Sequence, residues 1–246
     1  MTLRREPVRG TYAIAGVELE RVTVMRDLGV LLDEKLTFAD HVDATVRKAN
    51  RALGVLMRSL QTGKHGRSLK EQSRKSVMSI YCANVRATLE FCSVVWGGAA
   101  EVHMKRIERV QHKFLMWLCA RCRVTGPTLQ YEELMEFFGV STLAARREQL
   151  DIMFLRNVHR HIIDSPFLLS QFPIAAPTRQ LRTRVLFNTP YARVNTVRCG
   201  LFCRISKACN AFLDENRDVD VWVHSAGMFK KSVIAYVRGE KVATLV

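Results

Sequence analysis

The stretch RDLGVLLDEKLTFADHV, Arg26 to Val42, decides how the rest of the chain is read. Leu28-Gly29-Val30-Leu31-Leu32 is an apolar run of strand length, bounded on its far side by the charged Asp33-Glu34-Lys35. The period then changes. Thr37-Phe38-Ala39-Asp40 has the spacing of a capping box, a hydroxyl to cap and a carboxylate near the positive end of a helix. Behind it Val42, Val46, Ala49, Leu53, Leu56 and Leu60 recur at steps of four and three, which predicts one apolar helical stripe. Arg47, Lys48, Arg51 and Arg58 fall off that stripe. A strand that becomes a long basic helix so abruptly is expected to be a seam: the end of a sheet begun before Met1, and the start of a helical body.

Working outward, Tyr12, Ile14, Val17, Leu19, Val22 and Val24 alternate with polar or small residues around Ala15-Gly16, predicting a short β-hairpin ahead of the strand. Downstream, TGKHG interrupts the helix, and Ser68-Leu-Lys-Glu71 is a second capping box opening a helix to about Arg86. ATLEFCSVVW then runs to a break at Gly97-Gly98. The most regular helix comes next, in HMKRIERVQHKFLMWLCARC. Met104, Ile107, Gln111, Phe114 and Leu118 mark one side, and Lys105, Arg106, Arg109, His112 and Lys113 the other. A short helix is expected near Glu132–Phe138, then a long one from an N-cap at Ser141 to about Ile163. The latter is apolar on more than one face and is expected to be central. Pro166, Pro173, Pro177 and Pro190 break up the next segment, which carries Arg179, Arg182, Arg184 and Arg193 among Phe172, Phe187 and Tyr191 and no acidic residue. It is predicted to be a basic Pro-rich arm over 166–198. Helices near Leu201–Leu213 and Ala226–Val237 end the chain. The expected fold is mainly α with a small N-terminal β element, organised as 1–36, 37–126 and 127–246.

The chain has 246 residues and a net charge of +15, from 38 Lys and Arg against 23 Asp and Glu. The excess sits in two blocks. Residues 61–126 carry 12 basic and 4 acidic side chains, and residues 166–209 carry 7 and 0. Such blocks favour a polyanion, because each phosphate neutralised releases condensed counterions. No apolar run approaches the roughly 18–20 residues that span a bilayer, so no membrane partner is expected. Seven cysteines, an odd number behind an N-terminus without an apolar signal region, favour reduced thiols and an intracellular location.

The residues nominate no catalytic centre. Cys119-Ala-Arg-Cys122 has a CxxC spacing but no second pair, and is expected to be structural. Cys199, Cys203 and Cys209 lack a histidine at knuckle spacing. His159 and His161, two apart on a helix, face different directions. Phosphate-binding GxxxxGK[ST], HExxH and GxSxG motifs are missing, as is a carboxylate pair suited to two-metal nucleotidyl transfer.

Three stretches in this order resemble the C-terminal third of the reverse transcriptases of non-LTR (LINE-type) retrotransposons, the Jockey-like branch among them. They are YAIAGVELERVTVMRDLGVLLDEKLTFADHV, YCANVRATLEFCSVVWGGAAEVHMKRIERVQHKFLMWL and YEELMEFFGVSTLAARREQLDIMFL, and the resemblance runs from about Tyr12 to Asp214. It implies that Leu28, Gly29 and Val30 match the primer-grip strand at the base of a polymerase palm, and that the helices after it form a thumb against an RNA–DNA hybrid. The catalytic Asp-Asp loop of that family precedes this region. The chain is therefore expected to contribute nucleic-acid binding to a polymerase without its carboxylates and to hold no cofactor, although the complete enzymes use Mg2+. The implied partners are an RNA template, an RNA–DNA hybrid and the palm and fingers of a parent polymerase. A thumb holds a duplex without reading its sequence, so phosphate-directed cations should carry it. Arg47, Lys48, Arg51, Lys105, Arg106, Arg109 and Lys113 suit that role, with Arg179, Arg182 and Arg184 of the arm for a single strand. Against these stand solvated helix sides for the two faces, and a structural loop packed across the helices, the reading favoured for the segment 172–193. For the whole chain the alternative is a stand-alone helical RNA/DNA-binding or interaction protein derived from a retroelement.

Overall fold

The computed structural model describes residues 11–60, 71–122, 130–175, 185–191, 193 and 199–239. It is mostly helical, with two small antiparallel strand pairs at the N-terminus, in agreement with the mainly α expectation. Packing divides the chain into two compact units. One comprises residues 1–92 and 99–114, and the other residues 93–98 and 115–246.

The first unit begins with β1 (Ala13–Ile14) paired with β2 (Val17–Glu18), followed by β3 (Val24–Asp27) paired with β4 (Val30–Asp33). Both hairpins turn on two residues at positive φ, Ala15 and Gly16 in one, Leu28 (φ 43°) and Gly29 (φ 91°) in the other. Positive φ at both central residues is what a type I′ hairpin turn needs. The expected continuous strand Leu28–Leu32 is therefore corrected. Leu28 and Gly29 are the turn, Leu28 projects into solvent, and the strand starts at Val30.

Asp33 ends β4 and organises the loop that leads into the first helix. Its carboxylate accepts from the backbone N–H groups of Lys35 (3.0 Å), Thr37 (3.0 Å) and Phe38 (2.7 Å), and from the Thr37 hydroxyl (3.1 Å). Burial pulls its pKa up, but these donors outweigh burial and the net shift is downward. Helix α1 (Ala39–Ser59) therefore does not start on the predicted Thr37 cap. Its N-cap is Phe38, in the left-handed region at φ 57° and without a side-chain cap, and Asp33 does the tethering from five residues upstream. Val42, Ala49, Leu53 and Leu56 are buried as the stripe predicts, and Arg47, Lys48, Arg51 and Arg58 are exposed.

Against α1 pack α2 (Glu71–Tyr81), a π-helical turn (Cys82–Arg86) and α3 (Ala87–Glu90), which run on without a break. The buried side chains Val77, Tyr81, Val85 and Leu89 repeat every four residues. In an α-helix that repeat drifts about 40° per step. A π turn, closing i→i+5, advances only ~80° per residue and brings Val85 and Leu89 back to the core face. After α3 the chain bends at Phe91 and Cys92, the latter at φ 51°. The first-unit part of α5 (Glu101–Arg121) buries Ile107, Val110, Gln111 and Phe114. Phe114 stacks on Tyr81 at 3.9 Å, and the Tyr81 hydroxyl donates to Gln111 (3.3 Å).

The second unit contains α4 (Ser93–Trp96), the end of α5, α6 (Tyr131–Phe138), α7 (Leu143–His159), α8 (Pro166–Gln171), α9 (Leu201–Glu215) and α10 (Ala226–Val237). Helix α7 is central: α4, α8, α9 and α10 all pack on it, burying Ile152, Leu155 and Val158. Its N-cap is Thr142, which accepts from Ala145 N–H (3.0 Å), and not the predicted Ser141; it ends at His159, short of Ile163. Arg204 of α9 pairs with Asp151 of α7 (2.7 Å) and donates to the Val94 carbonyl of α4 (2.6 Å). The approach is so close that a Cβ on Gly98 would lie 2.0 Å from the Cys199 carbonyl oxygen. The Gly97-Gly98 break is thus a packing requirement.

Residues 166–175 and 185–191 pack into the core of the second unit, as a structural loop would. Phe172 and Phe187 are fully buried, Ile174 bridges to Phe187, and the Asn210 side chain of α9 accepts from Leu186 and Phe187 N–H while donating to the Phe187 carbonyl. His159 is buried here, 5.0 Å from the Phe187 ring and 5.9 Å from Trp222, its Nε2 donating to the Phe172 carbonyl (3.1 Å). Among the described residues, no helix is long and apolar enough to cross a membrane.

Candidate nucleic-acid interface

The cations of the first unit are divided by helix geometry. At 100° per residue, Val46 and Asn50 of α1 point about 150° away from Lys48 and Arg51. Each pair lines a different concavity, and Arg47 stands exposed outside both.

On the Val46–Asn50 side, α5 supplies Arg106, Arg109, Val110 and Lys113 to a shallow groove of about 240 Å³. The predicted basic face is present, but its charges are unequal. Arg106 forms an ion pair with Asp43 of α1, both side chains about one third exposed (36% and 35%), and so ties the helices together. Lys105 lies 2.8 Å from Glu101 on the same helix, and that hydrogen bond and charge hold the Glu101 carboxyl below its usual range. Lys105 does not line the groove, and neither does His112. Arg109 and Lys113, one turn apart and both exposed, carry its accessible positive charge. Two cations at i,i+4 repel each other mildly, and an anion between them relieves the repulsion.

On the other side, Lys48 and Arg51 of α1 meet Arg26 of β3 across a larger pocket of about 510 Å³. Gly29, Leu31, His41 and Phe91 also line it. The His41 Nδ1 accepts from Leu31 N–H (3.3 Å), fastening the hairpin to the helix, and burial pushes the His41 pKa down. Of the predicted primer-grip residues, Gly29 lines this pocket, Val30 is buried in the core and Leu28 is at the exposed tip. Arg26, His41 and Phe91 are not foreseen from sequence. The alternation that puts Arg26 opposite Leu31 is hidden by the unrecognised turn, and nothing local marks Phe91.

The arm residues Arg179, Arg182 and Arg184 lie outside the described residues. Of its aromatics, Phe172 and Phe187 are core side chains, whereas Tyr191 is 86% exposed. Among the described residues no three His, Cys, Asp or Glu side chains come together as a metal site.

No family model and no solved structure matches the chain. Among characterised sequences it is similar to a probable RNA-directed DNA polymerase from the transposon X-element of Drosophila melanogaster, 31% identical over 115 residues. The matched stretch is 46% of this chain and 12% of that protein's length. The similarity supports a relationship to the reverse transcriptases of retrotransposons.

Proposed function

We propose that this chain is a nucleic-acid-holding piece of a retrotransposon reverse transcriptase. It grips template–primer through phosphates and supplies none of the catalytic carboxylates. The observation that carries the reading is the groove between α1 and α5, where Arg109 and Lys113 are presented on a rigid helical wall while Lys105 and Arg106 are engaged by carboxylates. Cations on a fixed helix suit a duplex backbone, whose phosphates position a protein without specifying sequence. In this reading the β3–β4 hairpin is the primer-grip-like element, α1 opens the thumb, and the element of origin is LINE-type and Jockey-like. Mg2+ and the upstream palm and fingers belong to the parent enzyme.

The purified chain should bind a labelled RNA–DNA hybrid at low salt and release it steeply as salt rises. No binding at low salt overturns the proposal, and so does primer extension by the chain alone. That each unit encloses its own buried core also favours a second reading, a self-folding binding protein derived from such an element. Cooperative unfolding of the purified chain with no requirement for a palm partner distinguishes it.

A further inference from the structure

The pocket walled by Arg26, Lys48, Arg51 and Phe91 is unlike the groove. It is larger and more enclosed, it joins a hairpin to a helix and α3, and its chemistry is mixed. Three cations face it from two elements, and none of its lining side chains is acidic. At about 510 Å³ it lies within the range of small-ligand sites, whereas a groove following a duplex backbone needs no enclosure. Thr45 and Thr88 add hydroxyls to the lining, and the Phe91 ring, 52% exposed, forms an aromatic wall.

That wall is held in place by the hairpin turn. A Cβ at Gly29 would lie 3.2 Å from the Phe91 ring, and at φ 91° the position disfavours any side chain. The Leu28-Gly29 turn thus lies close enough to the ring that an added side chain would crowd it. An aromatic face beside three converging cations is the pairing that proteins use to stack a base and neutralise its phosphate.

We propose that this pocket takes one unpaired nucleotide, its base against Phe91 and its phosphate among Arg26, Lys48 and Arg51. The recognised chemistry is a base carrying a phosphate, supplied either as a free mononucleotide or as the unpaired end of a strand. The site is separate from the α1–α5 groove and does not depend on duplex binding there.

The full chain is titrated with adenosine 5′-monophosphate, with adenosine and inorganic phosphate as controls. The nucleotide should bind at least about fivefold more tightly than phosphate, the lower end of what stacking one base contributes, and more tightly than adenosine, which lacks the phosphate. Phe91→Ala should remove the advantage over phosphate and leave phosphate binding unchanged. Arg51→Gln, an exposed helix position, should weaken nucleotide and phosphate alike and serves as the second variant if Phe91→Ala does not fold. In a second arm, a hybrid with a one-nucleotide 5′-phosphorylated overhang is compared with a blunt hybrid. An advantage for the overhang that Phe91→Ala abolishes identifies a strand end as the source; nucleotide binding without that advantage identifies free nucleotide. Nucleotide binding no tighter than phosphate overturns the proposal, as does a Phe91→Ala variant that binds nucleotide as the parent does. Either failure leaves salt-dependent duplex binding in place, so the two readings fall separately.

Discussion

Replacing Arg109 and Lys113 together by alanine should change how duplex affinity responds to salt. Each phosphate contact contributes about 0.9 to the slope of log affinity against log salt, taking the B-form value as a guide, so losing two should flatten it by about 1.8. Over a fourfold rise in salt each contact accounts for about a 3.5-fold loss of affinity, and two for roughly 12-fold. The double variant should therefore bind more weakly than the parent at low salt and approach it at high salt. Both side chains are exposed, so their removal should shift stability by no more than about 0.5 kcal/mol. Lys105→Ala is the internal comparison. Its ammonium is already 2.8 Å from Glu101, and its removal should alter the slope less than either groove residue does. Fluorescence anisotropy with a labelled RNA–DNA hybrid across a salt series measures all three. An unchanged slope in the double variant would refute the reasoning, as would an equal drop in Lys105→Ala.

Two further outcomes test the fold. Gly98→Ala places a methyl 2.0 Å from the Cys199 carbonyl oxygen and should cost about 3 kcal/mol or more, at the top of the overpacking range, whereas Gly139→Ala, in open space at φ 64°, should cost about 1 kcal/mol; thermal melts of the two variants that coincide would contradict this packing. His159 is buried, and burial, with a smaller push from His161, outweighs its bond to the Phe172 carbonyl and lowers its pKa below the ordinary 6.5. The unfolded chain then takes up the proton first, so the stabilisation is complete above about pH 6.5 and is lost as pH falls through the lower folded value. The urea midpoint should drop between pH 7 and pH 5, and by less in His159→Gln; an equal drop in both would assign the effect elsewhere.

Where a helix is decided by a continuous local pattern, the chain declares it. The bounds of α10, Ala226–Val237, coincide with those read from the sequence, and the stripe of α1 is buried as its spacing requires. The misreadings share a different cause. A Leu-Gly turn has no Asn-Gly signature, so the hairpin at Leu28 reads as a strand, and the pocket behind it is invisible. The Thr37 capping box is overridden by a carboxylate four residues upstream, an interaction across the strand–helix junction that capping rules do not consider. For the Pro-rich segment, composition leaves stacking and a packed loop both open, because it cannot reveal that Asn210 clamps the backbone on either side of Phe187. For the site, the helical wheel of α1 already separates Val46 and Asn50 from Lys48 and Arg51. Which element faces each pair is a tertiary fact.

Leu36 and Phe38 both lie at positive φ, 51° and 57°, a conformation that costs a side-chain-bearing residue about 1–2 kcal/mol. The loop between β4 and α1 is therefore a loaded spring, and the Asp33 carboxylate is its catch. The hydrogen bonds that the Asp33 carboxylate accepts all come from within five residues of it, and His41 reaches Leu31 from only ten residues away. Hairpin and helix are thus joined by their own short stretch of chain. Wherever α1 goes the hairpin goes with it, and Arg26, Lys48 and Arg51 travel as one preassembled cationic wall.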